Sequence, residues 1–255
     1  MVPPPELLLA WLAAVARVVA LCVTAPVLGH AAVPVRLRAA LAVALAAALA
    51  PLLPPPALPA AASAAALVAL AAGELAIGAL LGFAARLVFD AIGLLGGFAS
   101  IQGGLGAASV LDPASHSATL AFAAVLESVA VLLWLAIGGP EALLRALWSS
   151  FETMPLGGGP PPATSFLALA TLGTDFFRIA VQLAAPVTVA MLLANLLLGF
   201  IGRALPEVNL MALQLPAHVV LLLALLWLGA GALGDAMVEV LAAWQRQVGA
   251  LLGGA

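Results

Sequence analysis

The stretch GELAIGALLGFAARLVFD (residues 73–90) decides how this chain folds. It continues an apolar run that begins near residue 64, and the whole of 64–89 exceeds the roughly 20 residues that a helix needs to cross a bilayer core. Glu74, Gly78 and Gly82 recur at intervals of four, which sets them on one face of that helix. The glycine pair lets a second backbone approach closely, and Glu74 falls into the same interface. At the far end Arg86 and Asp90, also four apart, are placed to pair, although arginine before aspartate is the weaker order.

The rest of the chain agrees with a membrane reading. Of its 255 residues 65% are hydrophobic and 7% are charged, and the mean hydropathy is +1.26. Soluble domains carry about 25% charged residues, so this inventory cannot cover a soluble surface. The apolar stretches are continuous and lack the alternation of an outer-membrane barrel strand. The expected fold is therefore all-α and integral to the membrane, a single polytopic unit over 1–255. The net charge of −3 is spread thinly and offers no basic patch for nucleic acid. Cys22 is the one cysteine, so no disulfide forms within the chain, and its apolar setting suits an inert buried thiol. The first thirty residues lack a positive leading region and carry Arg17 inside their apolar run, which reads as a retained helix, not a cleaved signal.

Six segments meet the length requirement, at about 7–28, 37–53, 64–89, 118–137, 166–200 and 209–233. PPPALPA (54–60) separates the second from the third, because consecutive prolines cannot continue a helix. PLGGGPPPATS (155–165) is an irregular loop made of chain breakers, with Thr164 or Ser165 as a cap for the helix after it. Pro186 and Pro216 lie inside apolar segments, where each removes a backbone hydrogen bond and favours a kink. Arg36, Arg38, Arg86 and Arg203 fall on one side of a six-span topology, which makes that side cytoplasmic and both termini periplasmic.

Ionised groups inside apolar helices cost about 2.5–3.5 kcal/mol each on insertion scales, so Arg17, Glu74 and Glu127 must face protein, water or one another. Two readings are open. Either carboxylate would serve a secondary transporter as a proton or cation site, or these groups hydrogen-bond between packed helices. The transporter reading also calls for an inverted repeat with matching broken helices, and no convincing repeat is present. Catalytic readings find little support, since no metalloprotease, dithiol, nucleophile-elbow or phosphate-loop motif occurs. His30, His116 and His218 are scattered without ligand spacing, so neither metal nor cofactor is expected.

One stretch fits none of the spans. QGGLGAASVLDPASHSA (102–118) is rich in small and polar residues yet lies between hydrophobic segments. Gly103, Gly104 and Gly106 each weaken a helix by about 1 kcal/mol relative to alanine. Pro113 removes a donor and turns Asp112 toward extended backbone. Leu105, Val110 and Leu111 make the segment more apolar than ordinary connections between helices. Irregular backbone at membrane depth is tolerated only when packed in protein or lining a water-filled cavity, which favours a re-entrant or pore-lining loop.

With the glycine-spaced segment and this loop in view, the run from Gly73 to Leu120 resembles the central part of the FliR family of flagellar type III export-gate proteins, related to the SctT-like proteins of injectisomes. RVVALCVTAPVLGHAAVPVRLRAALAVALA (17–46) has that family's Arg, Ala-Pro, Val-Pro and Arg pattern. MPLGG (154–158) fits it, and so does LLLGFIGRALPEVNLMALQLP (196–216) with its Gly-Arg, Pro, Asn and Pro spacing. The likeness runs over nearly the whole chain in the family's order.

The resemblance implies a non-enzymatic subunit that assembles with FliP and FliQ into a helical, ring-like gate through which unfolded flagellar proteins leave the cytoplasm. It further implies FlhA and FlhB as neighbours and the inner membrane at the flagellar basal body as the location. Apparent spans would then be bent helical hairpins packed on sister subunits, partly raised out of the bilayer toward the periplasm. The loop matching 103–117 would plug the channel, which makes Gly103, Gly104, Leu105, Gly106, Val110, Leu111, Asp112 and Pro113 plug candidates, with Phe98 near the constriction. Met191, Met211 and Met237 read better as gap-fillers than as a gasket. A virulence injectisome is the alternative within this class, although DPAS (112–115) and the overall pattern lean flagellar.

Overall fold

The computed structural model describes residues 5–29, 33–54, 63–102, 117–205 and 210–252. Every regular element among them is a helix: α1 (Pro5–Thr24), α2 (Val35–Leu49) with a 3₁₀ turn after it (Ala50–Leu52), α3 (Ala64–Gln102), α4 (Ser117–Ala136), α5 (Gly139–Thr153), α6 (Ala163–Ala204) and α7 (Leu210–Leu251). Four of these helices are long and apolar enough to cross a membrane, and six spans result if each broken helical pair is counted as one.

Local signals set the boundaries. Ser63 caps α3, its hydroxyl accepting the Ala66 N–H at 3.2 Å. Pro140 in the first turn and Gly138 in the left-handed region (φ 81°) separate α5 from α4. The helix after the proline-rich loop starts at Ala163, so Thr164 and Ser165 lie in its first turn and neither precedes it as a cap. Pro186 and Pro216 stand inside α6 and α7, and neither ends its helix.

Two helices run well past the apolar segments that seed them. α3 continues from residue 89 to Gln102, since glycines weaken a helix without breaking it and no proline occurs before Pro113. α7 continues from residue 233 to Leu251, where Met237, Val240, Leu241, Trp244, Val248 and Leu251 are buried at helical spacing. α5 is amphipathic in the same way, burying Leu143, Leu147 and Phe151, and an apolar-run criterion passes over such helices.

The described chain divides into two compact units. The first comprises 1–87, 138–174 and 241–255, and the second 88–137 and 175–240. In the first, α1 buries Ala10, Ala13, Ala14, Arg17, Val18 and Leu21 along one face. In the second, Phe89 and Trp134 meet edge to face with centroids 5.7 Å apart. Leu126 of α4 packs with Leu183 and Ala184, and Met191 with Leu222.

Candidate functional site

The first unit holds a buried polar cluster built around Arg17. Its position on α1 is fixed by the small-residue face of α3. A Cβ on Gly78 would run into the Arg17 carbonyl, and one on Gly82 would stand 2.8 Å from the Leu21 carbonyl and 2.9 Å from the Ala25 nitrogen. Only glycine lets the two backbones come this close. Glu74 lies one turn before Gly78 and therefore points toward the same helix.

Arg17 is fully buried, and its planar fork of N–H donors is matched by oxygen. Nε donates to Glu74 Oε2 at 2.7 Å, and Nη2 lies 2.7 Å from the same oxygen. Nη1 donates to the Ser150 carbonyl at 2.8 Å and to Ser150 Oγ at 3.1 Å. Nη2 also donates to the Met154 carbonyl at 2.9 Å. The guanidinium carbon stands 4.4 Å from the Phe151 ring centre, within cation–π range. Glu74 is 2% exposed, and its Oε1 accepts the Gly157 N–H at 3.1 Å.

The cluster joins α1, α3, the end of α5 and the loop beyond it. At the end of α5 Arg17 donates to the Met154 carbonyl and adds a second donor to the Ser150 carbonyl, which already accepts the Met154 N–H at 3.0 Å, and a cation there is also favoured by the helix dipole. Gly157 reaches Glu74 from the left-handed region (φ 82°), and Gly159 is also left-handed (φ 95°). Gly73 gives this loop room, because a Cβ there would sit 3.0 Å from the Gly159 carbonyl. Chemically the arrangement is a lock. Both Glu74 oxygens accept hydrogen bonds from protein donors.

The remaining candidates are placed differently. Glu127 is exposed on α4, beside the buried Leu126. The plug candidates Gly103, Gly104, Leu105, Gly106, Val110, Leu111, Asp112 and Pro113 lie outside the described residues, as do His30, His116 and the side chains of Phe98 and Met211. Met191 and Met237 are buried. Sequence reasoning missed Ser150 and Phe151, whose amphipathic helix produced no apolar-run signal. It also passed over Asp175 and Arg178, two exposed charges inside the fifth apolar segment.

Comparisons with known proteins give this geometry its setting. Residues 8–243 match the family of bacterial export proteins, family 1. The flagellar biosynthetic protein FliR of Escherichia coli is 33% identical over 200 residues, which cover 78% of this chain and 76% of that protein. FliR of Caulobacter vibrioides is 31% identical over 224 residues, covering 88% of each chain. The Yop proteins translocation protein T of Yersinia pestis is 32% identical over 158 residues, covering 59% of this chain and 58% of that one. With nearly its whole length matched, the chain belongs to the bacterial export proteins, family 1.

Proposed function

We propose that this chain is a non-enzymatic core subunit of a flagellar type III protein export gate, forming with FliP and FliQ homologues the channel through which unfolded flagellar proteins leave the cytoplasm. The observation that carries the reading is the family match across residues 8–243. Coverage favours the flagellar system, since the alignment takes in 76% of the Escherichia coli flagellar relative and 58% of the Yersinia pestis translocation protein. The chain is an integral membrane protein, and the reading places it in the inner membrane at the flagellar basal body, next to FlhA and FlhB homologues.

Helix length supports an assembled state. α3, α6 and α7 hold 39, 42 and 42 residues, or about 58–63 Å of helix at a rise of 1.5 Å per residue. A bilayer core is about 30 Å thick, so one crossing uses about half of each. Large apolar side chains nevertheless stay exposed along α6 from Phe166 and Leu167 to Phe200, about 51 Å of helix, more than one bilayer core covers. Apolar surface beyond the lipid calls for protein cover, which sister subunits would provide. Within this reading the segment between α3 and α4 is the channel plug, its glycines permitting refolding and its few apolar side chains dewetting the constriction.

Co-expression of the tagged chain with FliP and FliQ homologues, followed by detergent purification, tests the proposal. One large stable complex is the expected product. Recovery of a monomer that takes up a small solute would overturn it in favour of a transporter.

A further inference from the structure

Asp175, Arg178 and Gln182 form an outward polar stripe on α6, at intervals of three and four, and all three are exposed. The stripe lies inside a helix that qualifies as a membrane span by length and apolarity. Among the described residues no hydrogen bond or ion pair reaches Arg178, whereas Asp175 has a partner of its own.

No placement of the bilayer along α6 leaves this face in a fitting solvent. Residues 179–202 contain no charge and give about 36 Å of helix, enough for one crossing. If lipid covers them, residues 163–178 lie outside the hydrocarbon, and Phe166, Leu167 and Phe177, exposed by 56%, 68% and 57%, face water. If lipid instead covers the first half of the helix, Asp175 and Arg178 stand in hydrocarbon, at about 2.5–3.5 kcal/mol each. Moving the two charges to the headgroup level does not help, because Phe166 and Leu167 then lie still further out. A protein surface resolves every placement. It must be apolar enough to cover Phe177 and Val181, and it must bring an acceptor to Arg178, whose fork suits a carboxylate.

We infer that the Arg178 face of α6 is a subunit interface, covered by an apolar helix of a different chain of the export assembly that carries an Asp or Glu opposite Arg178. The inference rests on the export-gate reading and gives that assembly a specific contact. A membrane-facing arginine and an interface arginine respond oppositely to an apolar replacement. Against lipid, Arg178→Leu removes a costly charge. Against a partner carboxylate it leaves the partner's charge buried and unmatched.

The test uses the chain co-expressed with FliP and FliQ homologues, with its amount in the membrane measured alongside. Arg178→Leu is expected to reduce recovery of the complex by about tenfold or more, and Arg178→Lys much less. A photoreactive phenylalanine analogue in place of Gln182, with Arg178 intact, is expected to crosslink to a different chain of the complex. Unchanged recovery with Arg178→Leu overturns the inference, as do crosslinks only to lipid or only to a second copy of this chain. If the wild-type chain forms no complex, the export-gate reading fails and takes this interface with it. A wild-type complex indifferent to Arg178→Leu sinks the interface alone.

Discussion

Arg17 and Glu74 stand 2.7 Å apart with 0% and 2% of their side chains exposed, although 57 residues separate them in the chain. A buried pair of this kind adds little net stability over an apolar pair of the same volume. Removing one partner is damaging, because the other charge stays buried. Glu74→Gln or Arg17→Met is therefore expected to lower stability by about 3–5 kcal/mol, read as a fall in thermal unfolding temperature in detergent. The double replacement Arg17→Met with Glu74→Met should lose less than the two single changes added together. Strict additivity would mean that the two residues do not act as a pair.

Close approach of α1 to α3 gives a second expectation. Gly78→Ala and Gly82→Ala place a methyl group against α1 backbone, which cannot yield as a flexible side chain can. Overpacking of this kind costs about 1–3 kcal/mol. Gly249 has open space around its would-be Cβ, so Gly249→Ala should be neutral or stabilising by up to about 1 kcal/mol. Thermal melts of the three variants check the order, and a Gly78→Ala protein as stable as wild type would show that the helices sit further apart.

The third expectation concerns backbone conformation. Gly157 delivers its N–H to Glu74 from the left-handed region. Alanine is strained there by about 1–2 kcal/mol, whereas asparagine visits that region more readily. Stability should fall in the order Gly157, Gly157→Asn, Gly157→Ala. Equal melting temperatures for the two variants would separate the loop's conformation from the lock.

The α3 face was legible in the sequence because a four-residue period survives translation into a helix: Glu74, Gly78 and Gly82 had to lie together. Which helix fills that face was not, since pairing partners distant in sequence leave no local periodicity. Arg17 stood out as a charge in an apolar run, but nothing nearby pointed to Glu74. The six apolar segments found the helices α1, α2, α3, α4, α6 and α7, because hydropathy reports what crosses lipid. It missed α5 and the ends of α3 and α7, where helices persist without needing to be apolar all round. Ser150 and Met154 contribute carbonyl oxygens, and a backbone carbonyl carries no residue-type signal at all.

The segment between α3 and α4 supports the last expectation. If residues 103–113 plug an export channel, their removal opens a path for small ions, because the apolar Leu105, Val110 and Leu111 no longer dewet the constriction. The effect should require the assembled gate. Cells co-expressing the 103–113 deletion with FliP and FliQ homologues should show raised ion permeability, while cells expressing the deleted chain alone at the same membrane level should not. A leak in both would point to general membrane damage. Permeability at the wild-type level in a stably assembled deletion complex would mean that the plug lies elsewhere. Replacing only Leu105, Val110 and Leu111 by serine then separates two roles. A leak equal to the deletion assigns the seal to dewetting by apolar side chains, and no leak assigns it to the bulk of the segment.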